Sequence, residues 1–79
     1  MAKREIRMRV QALRRQRETM KLANRFLRAG NDAGLLSLGF TAEHIARLKV
    51  PDVTGAIGFS HTTLRNIGAK IHQLQGRTV

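Results

Sequence analysis

The first thirty residues carry a repeat that fits a single long helix. Apolar side chains, with two polar substitutes, recur at alternating steps of four and three residues: Ile6, Val10, Leu13, Arg17, Met20, Asn24 and Leu27. This spacing predicts one helix over residues 3–28. Gly30 follows in the position where helices commonly end with glycine.

The same segment is strongly basic. It holds ten of the fifteen Lys and Arg residues of the chain and only two acids, Glu5 and Glu18. This balance is too uneven for a surface held by salt bridges, so it favours binding to a polyanion, most commonly a nucleic acid. Two other interpretations are a solvated outer face and a helix lying on an anionic membrane. The lack of aromatic anchors before Phe26 disfavours the membrane.

Composition narrows the class of protein further. At 79 residues the chain has room for one domain, 1–79, with a thin core. The absence of Cys excludes disulfides and thiolate zinc sites, and three Phe without Trp or Tyr disfavour stacking on unpaired bases. The sequence shows neither a long apolar run nor a secretory signal, so we expect a cytoplasmic protein.

The rest of the chain predicts short helices separated by capping residues and glycines. These helices are expected over residues 33–38, 42–49, 52–57 and 61–75. Their predicted N-terminal caps are Asn31 or Asp32 for the first, then Thr41, and Ser60 for the last. The predicted fold is all-α, with one long basic N-terminal helix followed by three to four short helices. Residues 1–20 form its basic amphipathic extension.

Residues 53–67 fit a helix-turn-helix pattern, in which Gly58 supplies the turn and Ser60 begins the second helix. Polar side chains then lie where a recognition helix meets base edges: His61, Thr62, Thr63, Arg65 and Asn66. Arg can read guanine and Asn can read adenine through paired hydrogen bonds. An ordinary capped helix with a polar outer face explains the same pattern, and Thr54 and Gly55 suit the first helix poorly.

The sequence contains no pattern typical of catalysis. His44, His61 and His72 lack the spacing of metal ligands, and the acids fall mainly at helix caps and first turns. The glycines do not form a phosphate-binding loop. We therefore expect a protein that is not an enzyme and uses no metal or other cofactor.

Residues 22–51 resemble a known family. Leu22-Ala23-Asn24-Arg25 is followed, after twelve residues, by Leu38-Gly39-Phe40 and then Glu43. This pattern is similar to the D subunit of the bacterial flagellar master transcriptional activator. The resemblance implies an all-helical DNA-binding regulator that dimerises and activates transcription together with a zinc-bearing C-type subunit. The Arg-rich segment Met1–Met20 is not a family feature, and the family's cysteine that links chains is absent.

These observations predict a transcriptional regulator that binds duplex DNA as a homodimer or with a second subunit. Phosphate contacts are assigned to Lys3, Arg4, Arg7, Arg9, Arg14, Arg15, Arg17 and Lys21. Base contacts are assigned to His61, Thr62, Thr63, Arg65 and Asn66. A chain this small leaves an apolar stripe of the long helix as the expected interface: Ile6, Val10, Leu13 and Met20. The alternatives are an adaptor that grips an acidic protein surface and a protein that binds structured RNA.

Overall fold

Four helices make up the described part of the chain. The computed structural model describes residues 2–76, in which α1 spans Lys3–Ala29, α2 Asp32–Ser37, α3 Ala42–Leu48 and α4 His61–Gly76. No strand occurs in that range. The predicted all-α fold, with a long N-terminal helix followed by shorter ones, is confirmed. The ends of all four helices lie within one residue of the predicted ends.

Local chemistry explains where the helices begin and end. Gly30 has a φ of +69°, so its left-handed backbone ends α1. Polar side chains accept hydrogen bonds of 3.0 to 3.1 Å from backbone N–H groups in the first turns of α2, α3 and α4, and these caps are Asn31, Thr41 and Ser60. The predicted capping residues are therefore the ones that the structure uses.

The long helix α1 supports two hydrophobic clusters. Its N-terminal half packs against α4, and we call the buried residues there the α1–α4 core: Ile6, Val10, Ile67 and Ile71. Its C-terminal half packs against α2 and α3 to form the α2–α3 core: Ala23, Leu27, Leu35 and Ile45. Each buried Val, Leu or Ile side chain in these clusters contributes about 1.5–3 kcal/mol. The small chain is thus stabilised by two separate clusters along one helix.

Helix α4 runs antiparallel to the N-terminal half of α1. Near its beginning, Thr63 and Asn66 share a groove with Met20. Near its end, Leu74 shares a groove with Arg9. Each of the two helices therefore covers the apolar stripe of the other.

The burial of Ile6 and Val10 contradicts their assignment to an intermolecular interface, whereas for Leu13 and Met20 the assignment stays a prediction. Ile6 and Val10 are only 3% and 6% exposed beneath α4, while Leu13 and Met20 pack at the edge of the same cluster. The repeat on α1 shows that an apolar face exists but does not show what covers it. Helix α4 covers it within the chain, which avoids the loss of translational and rotational freedom that association costs.

The predicted helix over residues 52–57 is absent, and residues 49–60 form a loop. The Asp52 carboxylate accepts hydrogen bonds from the backbone N–H groups of Thr54, at 2.8 Å, and Ala56, at 3.1 Å. These local bonds give the backbone an alternative to a helix. The helix-turn-helix pattern therefore lacks its expected first helix, and α4 follows a long loop instead of a short turn.

One side chain of α1 ties this loop to the helix. The amide nitrogen of Asn24 donates to the carbonyl of Phe59 at 3.0 Å, and its amide oxygen accepts the N–H of Phe59 at 2.8 Å. Gly58 lies directly against this side chain with a φ of +84°, and a Cβ there would overlap Oδ1 of Asn24. The paired bonds fix the point at which the chain enters α4.

We expect Asn24→Ala to lower the free energy of unfolding by about 2 kcal/mol, because it leaves both backbone groups of Phe59 without their partner. Urea denaturation followed by circular dichroism measures the change. Asn66→Ala is the matched control at an exposed position and should change stability by less than about 0.5 kcal/mol. Equal effects of the two variants would contradict the role given to Asn24.

Two glycine substitutions should have opposite effects on stability. Gly68 lies inside α4, and a Cβ there meets only Nη1 of Arg17 at an ordinary 3.7 Å. Gly68→Ala should therefore raise the free energy of unfolding by about 0.5–1 kcal/mol, because glycine weakens a helix interior. Gly58→Ala should lower it, because the added methyl collides with Asn24 and strains the backbone. The thermal midpoints of the two variants test this order.

The loop should respond to acid through Asp52. The hydroxyl and backbone N–H of Thr54 donate to this carboxylate and hold its pKa below the ordinary value of 3.8. The stabilisation of the folded loop by the ionised Asp52 carboxylate is therefore present above pH 3.8. It is lost as the pH falls through the lower pKa of the folded state. The amide NMR signals of Thr54 and Ala56 should shift in that acidic range. Asp52→Asn should abolish this pH-dependent shift of the amide signals. If the shift persists in that variant, another group titrates.

Candidate nucleic-acid interface

Helical geometry separates the ten cations of α1 into different sides of the helix. At about 100° per residue, seven of them fall within one arc that borders the line of contact with α4. We call these seven the basic stripe: Lys3, Arg7, Arg14, Arg17, Lys21, Arg25 and Arg28. All are exposed except Arg17, which is partly buried. The apolar stripe and the basic stripe thus lie side by side along the length of α1.

Three of the predicted phosphate contacts lie outside this stripe. Arg4 and Arg15 fall on the side of α1 away from α4. Arg9 lies on the opposite flank, where it shares a groove with Lys70 of α4. The structure therefore does not place all of the predicted cations on one surface.

The predicted base-reading residues of α4 also do not share one side of their helix. Gly68 lies next to Arg17, and Arg65, one turn earlier, is on that same flank. His61 is one further turn back, and its Nε2 lies 3.3 Å from Nη2 of Arg65. The other flank of α4 carries Thr63 and Asn66, whereas Thr62 falls on the outer side of α4, away from α1. Only His61 and Arg65 accompany the basic stripe.

Most of the surplus positive charge lies on α1 and α4, because the two cations of the α3 region have acidic partners. Arg47 pairs with Glu43 at 2.7 Å, and Lys49 pairs with Asp32 at 2.9 Å. Beside the basic stripe, Glu18 lies 3.7 Å from Nζ of Lys21. Helix α4 contains no acidic residue. The flank formed by α1 and α4 is therefore cationic over most of its length.

The aromatic side chains are occupied in the core. Phe26, Phe40 and Phe59 are partly buried against the α2–α3 core. The ring centroids of Phe40 and Phe59 are 6.0 Å apart, and the ring of His44 lies 5.1 Å from Phe40. Proteins that hold unpaired bases usually stack them on exposed aromatic rings. This arrangement favours contact with a phosphate backbone over stacking on single strands.

Within residues 2–76, no three His, Asp or Glu side chains come together in a way that could hold a metal ion. In that part of the chain, no helix combines the length and apolar character needed to cross a bilayer.

Two residues of the candidate interface were not assigned from the sequence. Arg25 and Arg28 continue the basic stripe past Lys21 but were not included among the predicted contacts. Their helical phase relative to Arg7 and Arg14 was the pattern that could have identified them. Helical phase, unlike the density of cations along the chain, separates the basic stripe from the other cations of α1.

Comparisons with known proteins give no assignment: no family model, no curated protein and no solved structure matches this chain. The resemblance of residues 22–51 to the flagellar activator D subunits therefore stays a prediction. That segment covers the end of α1, then α2 and α3. Most of the basic stripe precedes it.

Proposed function

We propose that this protein is a DNA-binding regulator that holds the backbone of duplex DNA along the basic stripe of α1. The observation that carries this proposal is the alignment of seven cations on one open side of a single helix. The helix is fixed in place by the α1–α4 core and the α2–α3 core on its other faces. A row of fixed cations favours a polyanion over a small anion.

The dimensions of the stripe suit a duplex. From Lys3 to Arg28 the helix rises by about 37 Å, at about 1.5 Å per residue. One turn of B-DNA is about 34–36 Å long. A straight helix cannot follow a curved backbone throughout, so only part of the stripe reaches phosphates at once. We expect about five phosphate contacts, which correspond to a log–log salt slope near −4 to −5.

Helix α4 supplies the candidate base contacts on the same flank. Arg65 is exposed, and its Nη2 lies 3.3 Å from Nε2 of His61. Arg is the side chain that most often reads guanine. The role in transcription and the second subunit are what the family resemblance implies, and they remain part of this proposal. Ile6 and Val10 are buried beneath α4 and are not proposed as the contact between subunits.

Two triple variants with equal net charge test the basic stripe. Arg7, Arg14 and Arg25 lie on the stripe, and all three are changed to Gln in the first variant. Its salt slope should fall in magnitude by about 2 to 3, because roughly 0.9 of a counterion is released per phosphate neutralised. Fluorescence anisotropy of a labelled duplex at several salt concentrations measures this slope.

The control variant changes three arginines outside the stripe, Arg4, Arg9 and Arg15, to Gln. It should retain most of the wild-type slope. Equal losses in both variants would mean that overall charge, and not the stripe, drives binding. A wild-type slope near zero would refute the proposal. Tighter binding to structured RNA than to duplex DNA would instead favour the RNA-binding alternative.

The acid beside the stripe should weaken binding. Glu18 places its carboxylate 3.7 Å from Nζ of Lys21 and 4.0 Å from Nε of Arg17. Glu18→Gln removes repulsion of phosphates, so we expect affinity for duplex DNA to rise about threefold at low salt and less at high salt. Glu43→Gln, at the exposed pair with Arg47 on α3, is the matched control and should leave affinity unchanged. Anisotropy titrations at two salt concentrations compare them.

A further inference from the structure

Arg17 differs from the other cations of the basic stripe. It occupies a step of the apolar repeat, between Leu13 and Met20, and its side chain is 32% exposed against 54% for Lys21. Its Nε atom is buried and has no hydrogen-bond partner. The carboxylate of Glu18 is 4.0 Å away, which is too far for a hydrogen bond.

The guanidinium of Arg17 lies across α4 at a point where a side chain is missing. Nη1 is 3.7 Å from the position that a Cβ of Gly68 would occupy. The stem of Arg17 is therefore packed in the line of contact between the two helices, and its end emerges over Gly68. Such packing limits the rotamers of the side chain, so less freedom is lost when a ligand binds.

The surroundings of this guanidinium are cationic. Arg14 and Lys21 lie one turn before and after it on α1. On α4, Arg65 and His72 lie on either side of Gly68 on the same flank. Glu18 is the acid beside it, and its carboxylate also lies near Lys21. A site of this charge attracts an anion.

We propose that Arg17 forms a phosphate-binding subsite at the line of contact between α1 and α4, which takes one phosphodiester of the nucleic acid. This inference rests on the proposed function, since a continuous basic stripe calls for a polyanion. Arg17 holds the phosphate oxygens with its outer Nη groups, because Nε is buried. Arg14 and Lys21 bind the neighbouring backbone.

The position itself supports a binding role over a structural one. An apolar residue at this step would continue the repeat of α1 and would bury no unpaired donor. A buried polar group without a partner lowers stability, and such conflicts between a local rule and the residue present are expected at functional sites. On this proposal, Arg17 lowers the stability of the fold through its unpaired Nε and raises the affinity for the nucleic acid through its Nη groups.

The test compares Arg17→Met with Arg15→Met, which remove the same charge from a packed and an exposed position. Arg17→Met should keep or raise the thermal midpoint and weaken duplex binding at least tenfold, whereas Arg15→Met should weaken it no more than about threefold. Arg17→Lys keeps the charge but lacks the planar fork. It should weaken binding about tenfold and leave the salt slope unchanged.

Gly68 gives a second test that leaves every charge in place. Gly68→Leu fills the space over which the guanidinium lies and should weaken binding about tenfold, whereas Gly68→Ala fits at 3.7 Å and should not. If Arg17→Met lowers the thermal midpoint, the comparison of Gly68→Leu with Gly68→Ala decides the proposal.

Equal binding by the Arg17 and Arg15 variants, or by the two Gly68 variants, would overturn the subsite while leaving the basic stripe intact. Failure of the wild-type protein to bind any duplex would instead overturn the proposed function. The two failures are therefore distinguishable.

Discussion

The side-chain amide of Asn24 makes two hydrogen bonds to a single residue, Phe59, and the rest of the arrangement depends on that attachment. It holds the end of a long loop against the C-terminal part of α1. Because α4 begins two residues later, the helix has to run back along the N-terminal half of α1. The apolar stripe is thereby covered within the chain, and the basic stripe beside it stays open.

The basic stripe works against the stability of its own helix. Cations three or four residues apart, such as Arg17 and Lys21 or Lys21 and Arg25, repel each other by about 0.2–0.5 kcal/mol for each pair. Helix α1 tolerates this because packing of its other faces, not intrinsic propensity, supplies most of its stability. Phosphates of the proposed nucleic-acid partner would relieve this repulsion if they lay along the stripe. On that proposal, the charges that disfavour the free helix favour the complex.

Local features of the fold could be predicted because residues close in sequence control them. Gly30 ends α1 with its own backbone conformation, and Thr41 caps α3 with its own hydroxyl. The segment 52–57 was predicted wrongly, because the Asp52 carboxylate competes for the backbone N–H groups that a helix would use. The candidate site was predicted in part. Its cations are visible in the sequence, but which of them share one side of α1 follows only from their helical phase and from the position of α4.

The sequence by itself determined a long basic helix over residues 3–28, the short helices with their caps, and the phase of each cation around α1. Tertiary structure decided which side of α1 stays open, which flank of α4 accompanies it, and where the guanidinium of Arg17 lies. The physical reason is the separation in sequence over which each interaction acts. Caps and periodicity act over three or four residues, whereas the bonds of Asn24 to Phe59 and the placement of Arg17 beside Gly68 bring together distant parts of the chain. No local pattern encodes those contacts.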